Sequence, residues 1–544
     1  MGIKITLYLK LLLFALALTV AFPCPAEGEI LISDMAASAA PNAWCPIAYE
    51  TVDGIKGTML YAPWGIAPRQ KVKIPLAAKG RYRIFLGLAG MRTYTQLSEA
   101  NFRIMVRLER DSAPVVMDAV AETSAAGWWW QPVELSWKVA DLDHDTLVVE
   151  NLRDFRAVLA WVRLVPAGTD ESRVQTECPA MVVTNDAYAP EEDLDEILAS
   201  IMRFKDSPVK RVCYCMAQGP FVAKVAASNA VMTAFDEKKS YDNAYAKRCA
   251  QTFAGLWRKH PRLLSELADF SHSIGLEFDI SFRTGCAFDC TLIADEMSQC
   301  ERKGILRKDC MCQAWDGTPV SRFSYANAEV QDYFLRLYAE LLVDKVDGIN
   351  LIWIRALPAM LFEPAFREAF RAAYGEDVAN PDDPRVVSLR KEIMTGFMRK
   401  VRALAGKRRV SIVVPSTGAV CESFGLDVAR LAREGIVDEI DIGDSRQTAD
   451  HRESFDDIDF AYFRRACTDT KTVFLAFLWH FNLERQRKAL AEGAAGVLLW
   501  DGGSKPWRER ELMDGISISP GRRVHRLKTL GGFDAVTYPW HVAY

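Results

Sequence analysis

Neither sign of charge dominates this chain: 67 basic residues stand against 71 acidic ones in 544. A nucleic-acid partner, which needs a basic footprint, is therefore not expected. Fixed-period repeats and Gly/Ser or Gln/Asn tracts are missing too, which argues against a solenoid or a propeller. Past the N-terminal residues no apolar run reaches the ~20 residues that a membrane-spanning helix needs. No G-x-G-x-x-G follows the first strand-like run of the α/β text, against a dinucleotide-binding sheet. No histidine lies inside the densest group of cysteines, whose spacings fit no zinc finger or ribbon. The expectation is no cofactor, no metal and no membrane partner once the N-terminal segment is removed.

Half of the residues are hydrophobic, and 544 of them exceed what one core supports, so two folded units are expected. Lys4 and Lys10 stand ahead of the apolar run Leu11 to Phe22, with a small-residue cleavage site near Ala26. Residues 1–26 thus read as an export signal, and the protein as secreted or periplasmic. Twelve of the 13 cysteines would remain after cleavage, in an oxidising compartment. Cys286, Cys290, Cys300, Cys310 and Cys312 crowd one stretch, so at least two disulfides are expected to anchor the segment Cys286 to Cys312.

Residues 28–167 read as all-β. Runs such as Val72–Pro75, Tyr82–Leu88, Phe102–Leu108, Thr146–Glu150 and Leu159–Val165 are separated by Gly, Pro and Asp turns, the pattern of a sandwich. Trp128, Trp129 and Trp130 suit either a sugar-stacking platform or packing within the sheet. The segment loosely resembles galactose-binding-like jelly-roll modules.

Residues 168–179 read as a linker, and 180–505 change character, with apolar runs alternating with amphipathic helical stretches. Eight runs stand out: Met181–Asn185, Val209–Met216, Leu276–Arg283, Gly348–Arg355, Val410–Pro415, Val437–Ile442, Val473–His480 and Gly496–Asp501. Helices are expected over Gln331–Val343, Pro364–Ala373 and Val386–Leu404. Eight βα units predict a closed TIM (β/α)8 barrel, and residues 506–544 are left as a C-terminal extension.

Barrel chemistry sits at the C-terminal ends of the strands. Reading each run forward gives Asn185 and Asp186, then Arg283, Trp353 and Arg355. Asp441 and Asp444 close the sixth run, Trp479 and His480 the seventh, Trp500 and Asp501 the eighth. Aromatic rings beside carboxylates and arginines suit a poly- or oligosaccharide, with rings stacking on sugars and acids moving protons. Each acid also has a structural reading. Asp186 and Asp444 fit helix caps, Asp441 an ion pair with Arg283 or Arg355, and Asp501 a turn before Gly502-Gly503; His480 fits a hydrogen-bonded wall.

The run Asp347-Gly348-Ile349-Asn350-Leu351-Ile352-Trp353-Ile354-Arg355 resembles the fourth strand of bacterial glycosyl hydrolase-like barrel proteins. Ser324-Tyr325-Ala326-Asn327, Gly425-Leu426-Asp427, Glu434 to Ile440 and Gly493 to Val497 extend the likeness along the barrel. It implies a preceding galactose-binding-like sandwich, a (β/α)8 barrel and activity on glycans. The chain departs from the pattern where it matters most. The family's inward carboxylates are replaced by Asn350 and Ile352. Against the D-G-x-D-x-D-x-E run of chitinase-type barrels, the last three acids become Asn350, Ile352 and Ile354. Two expectations follow. Either the chain is a glycoside hydrolase using acids among Asp444, Asp501, Asp441 and Asp186, with Arg283, Arg355, Asn350, Trp353, Trp479, His480, Trp500 and Asn185 binding substrate, or it is a non-catalytic glycan-binding protein on a degenerate barrel.

Overall fold

The computed structural model describes residues 28–39, 44–63, 70–91, 102–117, 119–120, 130–152, 156–168, 180–185, 193–205, 207–218, 221–222, 256, 258–284, 310–354, 357–443, 458–478, 483–500, 523–524 and 527–530. The chain divides into two compact units, one formed by residues up to 112, 117–174 and 519–544, the other by 113–116 and 175–518.

The first unit holds two sheets. One runs in the order Arg523–Val524, Trp130–Asp143, Lys79–Met91, Ala157–Pro166, Lys56–Ala62, Cys45–Thr51, Leu527–Leu530, with antiparallel neighbours throughout. The other orders Lys71–Pro75, Thr146–Asn151 and Ile104–Leu108. Alternate residues of a strand point to opposite faces, and one face of each sheet feeds a common apolar cluster. Val72, Ile74, Val106, Leu147 and Val149 come from the smaller sheet, and Leu60, Ile84, Leu86, Leu159 and Leu164 from the larger. The five strand-like runs expected here all lie within or overlap observed strands. On the opposite face of the larger sheet Trp161 is fully buried, its Nε1 donating to Glu134 Oε2 at 2.8 Å. Gly87 makes room for that indole, since a Cβ there would stand 2.4 Å from the ring.

The second unit is a closed barrel. Its eight parallel strands are Ala180–Asn185, Val209–Gln218, Glu277–Arg283, Gly348–Ile352, Arg409–Pro415, Glu439–Gly443, Val473–Leu478 and Gly496–Leu499. Each pairs with its sequence neighbours, and the first pairs with both the second and the eighth, which closes the ring. Every expected run overlaps one of these strands. The expected helices are also present, as Ala328–Leu341, Pro364–Tyr374 and Pro384–Ala405.

Strand parity divides the barrel into an outer and an inner core. Ile349, Leu351, Val410, Ile412, Ile440, Ile442, Val497 and Leu499 face the helices and join one large apolar cluster. The residues between them turn inward. Toward the N-terminal ends of their strands these are charged: Arg211, Glu277, Asp279, Arg409 and Glu439. Further along come Cys213, Ser281, Asn350, Ser411 and Asp441, and a second, smaller cluster joins Val182, Cys213, Ile352, Ile354, Val413, Leu475, Phe477, Leu498 and Trp500. Gly348 is required by this packing, because a Cβ there would fall 2.7 Å from the Arg409 Cβ and 2.8 Å from Asp279 Oδ1.

Among the described residues no helix is long and apolar enough to cross a membrane. The expected disulfides do not form at two of their positions. Cys310 and Cys312 are buried thiols rather than half-cystines. Cys310 Sγ accepts from Asn327 Nδ2 at 3.3 Å, and Cys312 Sγ donates to the Pro358 carbonyl at 3.7 Å. Both side chains are engaged by local polar partners inside the fold. Cys286, Cys290 and Cys300 lie outside the described residues.

Candidate functional site

The barrel interior gathers acids and bases, with Arg211, Asp279, Glu439 and Asp441 buried and Arg409 and Glu277 reaching solvent at the N-terminal end. Arg211 pairs with Glu439 through Nη2 and with Asp279 Oδ2 at 3.3 Å through Nε. Arg409 contacts Asp279 at 3.1 Å and Glu277 at 2.6 Å. Asp279 is fully buried, and burial pushes its carboxyl up to about 6 against the pull of Arg211 and Arg409. Burial alone would lower the Arg211 guanidinium, but Glu439 and Asp279 hold it well above its usual value. These are structural ion pairs in the barrel floor, away from the mouth.

Asn350 and Asp441 meet one level higher. Asn350 Nδ2 donates to Ser411 Oγ and to Asp441 Oδ2, both at 2.8 Å, and Asn350 Oδ1 accepts from Ser281 Oγ at 3.0 Å. Burial, and then the neighbouring Glu439 carboxylate, push Asp441 well above the usual carboxylate range, with Arg211 and the Asn350 hydrogen bond opposing. Neither Asn350 nor Asp441 has any exposed surface. The next inward position on the sixth strand, Gly443, lies under Phe477 and Ile354, 3.2 and 3.3 Å from where a Cβ would sit. The small apolar cluster therefore stands between Asp441 and the C-terminal mouth. Both Asp441 and Asn350 are enclosed in the barrel interior, and Arg355 and the Arg283 side chain lie outside the described part.

Trp353 is also not at the mouth. It shares parity with Ile349 and Leu351, so it points out of the barrel and is fully buried against Tyr325 and Phe397, at centroid distances of 5.2 and 6.4 Å. Trp500 does face inward, but it is 1 % exposed and packs on Phe477 at 5.2 Å. Arg283 and Asn185 end the third and first strands, and their side chains are outside the described part. Asp186, Arg355, Asp444, Trp479, His480 and Asp501 lie outside the described residues. By sequence, Asp186 follows strand one, Asp444 strand six, and Asp501 strand eight.

Sequence reasoning missed a rim structure on the same end. A hairpin, Met311–Gln313 with Pro319–Phe323, lies in the connection leaving the third strand, and residues 357–363 lie in the connection leaving the fourth. The two are locked together. Phe362 N donates to Gln313 O at 2.9 Å, Tyr325 N to Ala359 O at 2.8 Å, and Gln313 N to Glu363 Oε2 at 3.2 Å. Glu363 is fully buried and also accepts from Leu361 N at 3.0 Å and from Ser324 Oγ. The Ser324-Tyr325-Ala326-Asn327 run is structural here. Ser324 holds Glu363, Tyr325 fills the core, and Asn327 caps the helix Ala328–Leu341 by accepting from Glu329 N. Its two segments lie far apart in sequence, and no motif in either marks the rim.

No family model matches the chain, and no curated protein matches it. Among solved structures, a β-galactosidase from the psychrophilic Marinomonas ef1 is 9 % identical at TM-score 0.40, over 62 % of this chain and 59 % of its own. The chain thus spans less than two thirds of that protein. An α-galactosidase from Thermus thermophilus, in complex with p-nitrophenyl α-D-galactopyranoside, is 12 % identical at TM-score 0.34, over 87 % of this chain and 94 % of its own. A tryptophan synthase α-subunit from Pyrococcus furiosus is 10 % identical at TM-score 0.29, over 62 % and 98 %. Likenesses of this size, shared by enzymes of unrelated chemistry, carry no argument about activity. What places the chain is its own strand pairing: an eight-stranded, parallel, closed barrel in a chain that also holds an antiparallel two-sheet unit.

Proposed function

We propose that the chain is a carbohydrate-active protein with its site at the C-terminal mouth of the barrel, a glycoside hydrolase acting on a poly- or oligosaccharide. The observation that supports this most is the fate of the inward positions. Asn350, Ile352 and Ile354 fill the barrel beside a buried Asp441, so the acids left for chemistry are those that follow strand ends, Asp444 and Asp501 foremost and Asp186 after them. Glycoside hydrolysis needs two carboxyl groups about 5 to 9.5 Å apart across the bond. Arg283, Arg355, Trp479 and His480 complete the proposed mouth. The N-terminal unit is proposed as a galactose-binding-like jelly roll, and the protein as secreted or periplasmic.

The packing of Ile352, Ile354, Phe477 and Trp500 across the barrel favours a second reading, a glycan-binding protein in which catalysis has lapsed. Turnover and binding on a polysaccharide panel separate the two. In an active enzyme, Asp444→Asn or Asp501→Asn lowers turnover by about 10²-fold or more with folding intact. Hydrolysis that is absent in the wild type beside retained glycan binding selects the second reading. Activity untouched by both substitutions removes the proposed acid pair.

A further inference from the structure

We propose that Trp315 and Arg367 form a rim subsite for a sugar ring bearing a carboxylate or a sulfate; the proposal rests on the carbohydrate reading above and deepens it. Trp315 sits beside the Asp316-Gly317 turn of the hairpin and keeps 38 % of its surface exposed. Its indole is fixed from two sides. Phe362 meets it edge-on, with centroids 5.0 Å apart at 84°, and the Arg367 guanidinium lies 4.6 Å from its centroid. An aromatic plane held rigid in this way loses little entropy when a second flat partner docks.

Arg367 supplies the charge. Its Nε donates to the Phe362 carbonyl at 2.9 Å, which orients the fork, and among the described residues no carboxylate pairs with it. Its neighbours differ. Arg371 pairs with Asp377 at 2.7 Å, and Arg385 with Asp383 at 2.7 Å and Glu376 at 2.6 Å. Nor do the nearby acids compete for Arg367. Glu363 is buried under its own donors, and Asp316 accepts from Thr318 N at 2.9 Å within the turn. A guanidinium with free donors beside an exposed indole matches a ligand carrying both a planar-contact face and an anion. The hairpin and residues 357–363 belong to connections that leave strands three and four at their C-terminal ends. The pair therefore stands on the barrel face where substrates bind.

The test measures binding of the full chain to polygalacturonate, dextran sulfate and neutral dextran by affinity electrophoresis, with wild type, Trp315→Ala, Arg367→Gln and Arg367→Lys. Thermal denaturation confirms that each variant folds. The expected result is binding of at least one anionic polymer, weakened about tenfold by Trp315→Ala and by Arg367→Gln, with partial recovery in Arg367→Lys. Polygalacturonate and dextran sulfate distinguish carboxylate from sulfate recognition. Variants that bind like wild type overturn the proposal, and so does a wild type that ignores both anionic polymers. If that wild type still binds or cleaves a neutral polysaccharide, the carbohydrate reading stands without this subsite; if it engages no polysaccharide at all, both fall. Equal weakening toward every polymer by Arg367→Gln rules out charge recognition.

Discussion

Asn350 Nδ2 stands 2.8 Å from Asp441 Oδ2, so the amide on the fourth strand satisfies the acid on the sixth. This contact gives the amide at 350 a structural role inside the barrel. A carboxylate at 350 would face a second buried carboxyl with no water between them. Asn350→Asp is therefore expected to lower stability by roughly 3 kcal/mol or more, and to do so more severely at pH 8 than at pH 5, as the added acid is forced to ionise. Urea denaturation at the two pH values measures this. An unchanged midpoint would show that the interior accommodates a second acid.

Asp441 sets a pH dependence of its own. Its folded value is raised above the unfolded one, so its contribution to stability is fully present below about pH 4 and is lost as pH rises through the folded value. The groups that act on it are Glu439 on its own strand, Arg211 and Cys213 on the second, and Asn350 on the fourth. Asp441→Asn keeps an acceptor for Asn350 but cannot ionise. Relative to wild type it is expected to gain stability between pH 4 and pH 8, read as a difference of urea midpoints. A gap that stays flat, or that grows against the variant, would mean that Asp441 is ionised in the fold.

Trp353 is a core residue. Trp353→Ala is expected to cost about 3–5 kcal/mol by leaving a cavity beside Tyr325 and Phe397, while, on the proposed carbohydrate reading, the fraction that remains folded keeps the wild type's glycan affinity. Calorimetric unfolding alongside a glycan-binding assay would expose the contrary case, a stable variant that no longer binds.

Six cysteines among the described residues are thiols rather than half-cystines, namely Cys45, Cys213, Cys310, Cys312, Cys421 and Cys467. Thiol titration of the denatured, unreduced protein should return at least these six. In the native state Cys213, Cys310, Cys312 and Cys421, all buried, are expected to resist alkylation, since the thiolate and its access are both suppressed. A titration well below six would revive the expected bridges.

The strand framework was legible because barrel strands buried on both faces write themselves as apolar runs between helices, and all eight did so. The assignment of side chains to the mouth was less legible, and Trp353 shows why. Its parity with Ile349 and Leu351 already pointed away from the axis, but its place at the end of a strand resembling a catalytic one drew attention to its chemistry instead. Asp441 had the right parity and the wrong depth, because depth depends on Phe477 and Ile354 from other strands. Trp315 and Arg367 lie 52 positions apart, and nothing local in either segment announces that they meet.

The two outermost strands of the larger N-terminal sheet are Arg523–Val524 and Leu527–Leu530, paired to Glu134–Val133 and to Tyr49–Thr51. The whole barrel sequence lies between them and their partners. As the chain leaves the ribosome, that sheet has both borders bare until the last segment emerges, and the borders are open hydrogen-bonding templates for the interval. A gene fragment stopped after the N-terminal unit would carry the same two bare borders permanently, so recombinant dissection of this protein should append residues 519–544 to the fragment or supply them as a separate peptide.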